Sequence, residues 1–369
     1  MTGVKLSELA ARLPASVPFV GPEAQERARG HRFAARIGAN ENVFGPSPAA
    51  IEAMRRAAGE VWKYADPENH DLRMALAAHH RVAPENVMVG EGIDGLLGYL
   101  VRLMIAPGDR VVTSLGGYPT FNYHVTGYGG DLVSVPYRDD AEDTRALVRR
   151  AAEVGARMVY LANPDNPMGS WHDARRVAEM IEALPDNCLL VLDEAYIEFA
   201  PEGTAPPLDP EDGRVIRMRT FSKAYGLAGA RVGYALGPAE LIDAFNRVRN
   251  HFAMGRISQA GAQAALADRD WLQQTLEKVA NARRRLARIA AGNGLRALPS
   301  AANFVAIDCG RDAAFARAVL DGLVARGVFV RMPFVSPQNR CIRVSAGTSH
   351  DLDVFARALP DALEQAGRG

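Results

Sequence analysis

The stretch LLVLDEAYIEF, residues 189–199, decides how this chain is built. Four consecutive apolar residues, Leu189, Leu190, Val191 and Leu192, stop at the carboxylates Asp193 and Glu194. A run that short and that continuously apolar reads as a strand buried on both faces, and such strands belong to parallel sheets covered by helices on each side. Runs of the same kind lie at residues 87–89, 110–113, 158–162 and 215–220, with amphipathic helical stretches between them across residues 45–245. The alternation predicts an α/β fold with a mostly parallel sheet flanked by helices. In such sheets ligands gather beyond the carboxyl ends of the strands, so the chemistry is expected in the segments that follow these runs.

Beyond residue 245 the pattern changes. An arginine-rich helical stretch at 271–291 is followed by strand candidates at 303–307, 328–331 and 341–344. This predicts a smaller α/β domain at 246–369, onto which an N-terminal arm, residues 1–42, folds back, leaving 43–245 as the large domain. Residues 201–213, PEGTAPPLDPEDG, form a turn-rich surface loop. A chain of 369 residues that is 48% hydrophobic has the apolar material for both cores. Forty-three basic residues balance forty-three acidic ones, so no overall field draws nucleic acid or an anionic membrane, and small molecules or a second copy are the expected partners. Cys188, Cys309 and Cys341 show neither CxxC nor metal-ligand spacing and read as buried thiols of a reducing cytoplasm. The first twenty residues lack a continuous hydrophobic run, and the best spanning candidate, residues 96–106, is short and carries Arg102; neither a signal peptide nor a transmembrane segment is expected.

Residues 220–234, TFSKAYGLAGARVGY, set Lys223 in a glycine-punctuated apolar stretch, with the next cation, Arg231, eight residues on. The chain has only four lysines, Lys5, Lys63, Lys223 and Lys278, among 43 Lys plus Arg, so arginine does its ordinary ion pairing. Lysine, unlike arginine, loses its proton in an apolar pocket and attacks a carbonyl to form a Schiff base; the alternative is a lysine snorkelling from a strand end. The turn GEGIDG, residues 90–95, matches the dinucleotide fingerprint, yet TSLGG at 113–117 offers no acid for a ribose. What the turn retains is a helix N-terminus whose free N–H groups bind a phosphate. Asp193 and Glu194 resemble an ATPase strand end, but none of the lysines lies in a GxxxxGK[ST] loop. Asp193 then reads either as a turn cap or as a buried carboxylate facing a protonated ring nitrogen, with Tyr196 three residues on able to donate to a phenolate oxygen. Neither metal nor serine-hydrolase motifs are present.

The order of these pieces is informative. The glycine turn, the aromatic turn at Tyr118, NPDNPMG at 163–169, VLDEAYIEF at 191–199 and TFSKAYGLAGARVGY together resemble a fold-type I pyridoxal-phosphate aminotransferase of the aspartate-aminotransferase-like fold, closest to the histidinol-phosphate aminotransferase family. ANENVFGPSP at 39–48, SAANF at 300–304 and CIRVSAGT at 341–348 extend the similarity over nearly the whole chain. The resemblance implies pyridoxal 5'-phosphate as cofactor, carried by Lys223, which also moves the substrate proton. It implies that Asp193 keeps the ring nitrogen protonated, that Tyr196 and Asn166 bind the ring oxygen, and that Tyr118 stacks on the ring. Gly92, Ile93, Asp94, Ser222 and Arg231 would hold the phosphate, joined by Tyr64 from the partner subunit of a homodimer with shared sites. Phe19, Asn42, Arg331 and Arg343 fall at substrate positions, the two arginines meeting an anion.

This sequence departs from the family in four places. Phe19 replaces a tyrosine, FAMGR at 252–256 replaces a polar asparagine-rich segment, Met168 replaces threonine, and Val43 replaces proline. The implied reaction moves an amino group from a donor to a 2-oxo acid, with glutamate and 2-oxoglutarate as the shared pair. An aromatic amino acid aminotransferase and a threonine-phosphate decarboxylase are the rivals within the fold, and the two arginines do not separate them. A cofactor-binding regulator would need a DNA-reading domain with a basic patch, which this chain lacks.

Overall fold

The computed structural model describes residues 4–13 and 20–367. Its strands, in chain order, are β1 (Ala35–Arg36), β2 (Val87–Gly90), β3 (Arg110–Ser114), β4 (Asp131–Val135), β5 (Met158–Ala162), β6 (Leu189–Asp193), β7 (Val215–Thr220), β8 (Gly233–Leu236), β9 (Arg296–Ala297), β10 (Phe304–Asp308), β11 (Val328–Phe329) and β12 (Cys341–Ser345). Seven of them form one sheet in the order β2-β8-β7-β6-β5-β3-β4. All neighbours run parallel except β8, which is antiparallel to both β2 and β7. The expected α/β sheet is present, and the five apolar runs are five of its strands.

Two strands of this sheet escaped the sequence reading, each for a physical reason. β4 is an edge strand whose residues are mostly half-exposed, so its apolar content is diluted. β8 is only four residues long and follows directly on the glycine-rich lysine segment, which masks its start. On one face of the sheet Leu96, Leu97, Leu100, Val101, Phe121 and Val125 are fully or nearly fully buried; on the other, Leu147, Ala151 and Val177 are. Burying each such large side chain is worth about 1.5–3 kcal/mol, which is why the helices stay seated on the sheet. Asp143 and Asp173 cap the helices Thr144–Val154 and Ala174–Glu182 through side-chain oxygens that accept backbone N–H groups.

A second, antiparallel sheet, β12-β10-β9, is packed by the helices Arg269–Gly292 and Ala313–Ala325, and the helix Ser349–Gly367 packs on those two helices and on β1 and β11. The N-terminal segment joins it: β1 pairs in parallel with β11, and Ser345 N–H donates to Ile37 O at 2.7 Å. The chain between Ile37 and Asn42 is thereby carried from this layer toward the edge of the large sheet.

At that edge the register is tight. Ala162 lies opposite Asp193, Asp193 opposite Met218, and Thr220 opposite Gly233, which in turn faces Gly90. Four chain segments therefore leave the sheet side by side: the loop after β5, the turn after β6, the lysine segment after β7, and the helix Gly92–Met104 after β2.

Candidate active site

A cavity of about 350 Å³ opens at this edge, between the large sheet and the strand β12. Ile93, Asp94, Tyr118, Asn166, Asp193, Tyr196, Ser222, Lys223, Arg231, Arg331 and Arg343 all line it, so residues spread over 250 positions meet in one place.

One wall is an anion cradle. The helix Gly92–Met104 begins with no side chain capping its first turn, so its leading N–H groups point outward unspent. Gly92 sits at φ +87, and a Cβ there would lie 2.4 Å from Arg231 Nη2; both the backbone conformation and the approach of the guanidinium require glycine. Gly233 plays the same part from the other side, because a Cβ on it would lie 2.7 Å from Ile93 N. Arg231, itself left-handed at φ +52, donates from Nη1 to Ser222 Oγ at 3.1 Å and to Ala228 O at 2.9 Å. A guanidinium, a hydroxyl and a helix N-terminus thus converge on one point, which suits a phosphate.

The floor carries the lysine and the acid. Lys223 Nζ donates to Asn40 O at 3.2 Å, and burial, with Arg343 and Arg231 adding repulsion, pulls its pKa down to about 8. Asp193 is buried, and burial pushes its carboxyl up to about 6. Its Oδ2 accepts from Tyr160 OH at 2.6 Å and its Oδ1 from Ala195 N–H at 2.9 Å, but among the described residues it makes no ion pair. Glu194, one position on, turns the other way: it is locked to Arg217 at 2.6 Å and Arg219 at 2.8 Å inside the protein. Of the two adjacent acids, only Asp193 is left for a ligand cation.

The far wall is cationic. Arg343 on β12 donates to Asn166 Oδ1 at 2.5 Å and to Gly38 O at 3.3 Å, while its buried Nε has no hydrogen-bond partner among the described residues. Burial holds its pKa down, to about 10. Arg331 lies beside it through a backbone bridge between the two residues and donates to Val20 O at 3.0 Å. A fork with an unspent donor next to a second guanidinium suits a carboxylate or phosphate arriving from solution.

Of the residues expected to line this cavity, Asn42 is placed differently. Asn42 does not line the cavity: its amide is used by Ala224 O and Phe44 N–H. Asn40, two residues earlier, occupies that place instead, its Nδ2 donating to Tyr196 OH at 3.0 Å and its carbonyl accepting from Lys223 and Asn303. Its φ is +56, a value that asparagine tolerates better than most residues. Tyr64 is 79% exposed and lies in a separate depression, its ring centroid 4.8 Å from that of Phe252. Phe19 lies outside the described residues. Tyr160, the donor to Asp193, went unnoticed in the sequence because it stands inside an apolar strand and stacks on Phe121 at 4.6 Å, as any core aromatic would.

The comparisons with known proteins agree with this geometry. The family model for aminotransferase class I and II matches residues 35–359, and the chain belongs to that family. Within it, the chain is similar to the histidinol-phosphate aminotransferases. It is 36% identical over 332 residues to that of Jannaschia sp. strain CCS1, covering 87% of this chain and 89% of the relative. The histidinol-phosphate aminotransferase of Sinorhizobium meliloti, solved in complex with pyridoxal-5'-phosphate, superposes with a TM-score of 0.95 at 56% identity, covering 98% of each chain. A double mutant of Thermus thermophilus aspartate aminotransferase follows with a TM-score of 0.81 at 26% identity, covering 97% of this chain and all of that one. The residues here fit the same group: an outward-facing helix N-terminus with Arg231 and Ser222 for its phosphate, a buried carboxylate without a cation for its ring nitrogen, and a lysine of lowered pKa for its aldehyde.

Proposed function

We propose that this enzyme, a pyridoxal 5'-phosphate-dependent aminotransferase, takes the amino group of histidinol phosphate and passes it to 2-oxoglutarate. One observation carries the substrate: with Arg231 committed to the cradle at the helix N-terminus, two further arginines, Arg331 and Arg343, line the same cavity and bring two positive charges to a substrate anion. The similarity to histidinol-phosphate aminotransferases supports it. When bound, the cofactor supplies an aldehyde that exchanges amino groups and a ring that accepts the electron pair left by a departing proton. Lys223 would hold the aldehyde and, as a free amine, would move the proton at the substrate carbon. Asp193 keeps the ring nitrogen protonated, Tyr196 and Asn166 face the ring oxygen, and Tyr118 covers the ring. Gly92, Ile93, Asp94, Ser222 and Arg231 hold the phosphate, and Arg343 orients the substrate so that its reacting bond faces Lys223. The deciding measurement is kcat/KM for histidinol phosphate, phenylalanine and tyrosine with 2-oxoglutarate as acceptor. A preference for either aromatic amino acid over histidinol phosphate overturns the proposal.

Tyr160 gives a prediction about the acid limb of the pH profile. Its hydroxyl stabilises the ionised form of Asp193, and a hydrogen bond to a charged group is worth about 1.5–3 kcal/mol, or roughly one to two pH units. Tyr160→Phe keeps the stack on Phe121 but lets the carboxyl rise further, so activity is lost at a higher pH as the solution is acidified. A limb that stays in place shows that Tyr160 does not tune Asp193.

We further propose a homodimer in which Tyr64 completes the partner subunit's phosphate site. Its exposure supports this, as does that of its neighbours Val61, Trp62 and Phe252. Mixing Lys223→Ala with Tyr64→Ala subunits then restores activity in the mixed dimer, which carries one intact composite site. No recovery after demonstrated subunit exchange places Tyr64 in its own chain's service. The division into an arm at 1–42, a large domain at 43–245 and a small domain at 246–369 belongs to the same proposal, supported by the separate sheets. So does a cytoplasmic location, supported by three free buried thiols. No helix among the described residues is long and apolar enough to cross a membrane.

A further inference from the structure

Phe334 is the exposed phenylalanine of the cavity that contains Lys223, Phe252 lying in the separate depression beside Tyr64. Phe221, Phe245, Phe304 and Phe355 are completely buried, whereas Phe334 is 66% exposed. Its backbone is nevertheless well held. On one side Arg331 and Arg343 exchange backbone hydrogen bonds, Arg343 N–H to Arg331 O at 2.6 Å and Arg331 N–H to Arg343 O at 3.3 Å. On the other, Asn339 N–H donates to Val335 O at 2.9 Å, and Val335 packs on Gly116, where an added Cβ would meet the Val335 side chain at 3.1 Å. The loop therefore presents the phenyl ring in a set place, and that place is the wall of the cavity that contains Lys223. Tyr118, Pro119, Met332 and Pro333 add apolar surface to the same cavity, which Arg331 and Arg343 also line. A donor with two carboxylates, such as glutamate, is matched by the arginines alone. A donor that carries an aromatic or heteroaromatic ring in addition to an anion finds a second, apolar partner here.

We propose that Phe334 determines specificity by providing the contact face for the ring of the amino donor, leaving the glutamate half-reaction untouched. The assignment rests on the aminotransferase reading above and narrows its donor class to ring-bearing amino compounds. An aromatic face in a partly wet cavity is worth about tenfold in apparent affinity, which is about 1.4 kcal/mol. It should act on KM, since the ring is remote from the reacting bond and is held equally in the bound and reacting states.

The test uses the cofactor-loaded enzyme in single half-reactions with histidinol phosphate, phenylalanine and glutamate as separate donors. Phe334→Ala is expected to raise KM for both ring-bearing donors about tenfold with kcat little changed, to leave glutamate within about twofold, and to be rescued by Phe334→Trp. Light scattering accompanies the kinetics. Equal losses for all three donors, no loss for either ring donor, or dissociation of the assembly in Phe334→Ala overturns the assignment, the last because it would mean that a second copy covers the ring. The two readings fail separately. Wild-type enzyme that accepts phenylalanine but not histidinol phosphate defeats the substrate proposed above while the Phe334 effect on phenylalanine still stands; ring donors that are both accepted but insensitive to Phe334→Ala defeat Phe334 alone.

Discussion

Lys223→Arg binds the cofactor noncovalently and loses transamination. The guanidinium keeps its proton at every working pH and cannot attack an aldehyde, so both the attachment and the later proton transfer disappear. The proton transfer alone accounts for roughly 10²–10⁴-fold in rate. Borohydride reduction of the wild-type holoenzyme followed by peptide mapping should place the label on the peptide spanning TFSKAYG; a label on Lys5, Lys63 or Lys278 removes Lys223 from the mechanism. The pH dependence follows from the same residue. With the amine pulled down to about 8, chiefly by burial, its neutral form grows as pH rises through 8. Attachment of cofactor to the free enzyme accelerates over that interval, two units or more below where an ordinary lysine would respond. Lys223→Ala, which introduces no buried guanidinium, controls for misfolding in the arginine variant.

Asp193→Asn has the second largest effect. The substitution preserves shape and leaves Ala195 N–H with an acceptor, while the new amide N–H donates to Tyr160 OH instead of accepting from it, but it removes the charge that opposes a protonated ring nitrogen. Breaking a buried pair of opposite charges costs about 3–5 kcal/mol, which corresponds to roughly two to four orders of magnitude in turnover. Without the cofactor the same carboxylate is a burden, since burial has pushed its pKa to about 6 and the charge of Lys223, with no ion pair to Asp193 among the described residues, offsets that only in part. The cofactor-free variant is therefore expected to melt no lower than the cofactor-free wild type at pH 7. Near-normal turnover in Asp193→Asn would reduce Asp193 to a turn-former after β6. A variant that loses stability in proportion to its activity would make it a structural residue.

The contrast between Asp193 and Glu194 shows where sequence reading stops. Both follow the same apolar strand, and nothing in their types tells which faces a ligand. The answer lies in Arg217 and Arg219, more than twenty residues away on β7, which draw Glu194 into the protein and leave Asp193 at the cavity. Asn40 and Asn42 pose the same problem. One amide is used up by the backbone of Ala224 and Phe44, and the other meets Tyr196 and the carbonyl environment of Lys223, a difference set by how β1 docks on β11.

By itself the sequence determined the parallel sheet, because strands buried on both faces leave uninterrupted apolar runs. The order of its motifs also carried the family resemblance that implies the cofactor, and the isolated Lys223 and the glycine turn opening a helix are local features that the sequence displays directly. The tertiary structure alone decided what depends on distant chain segments meeting. Strand register brought Gly90, Gly233, Thr220 and Asp193 to one edge, the pairing of β1 with β11 delivered Asn40 there, and β12 carried Arg343 across to Asn166. Which polar group is spent inside the protein and which is left for a ligand depends on these long-range contacts, and no spacing along the chain encodes them.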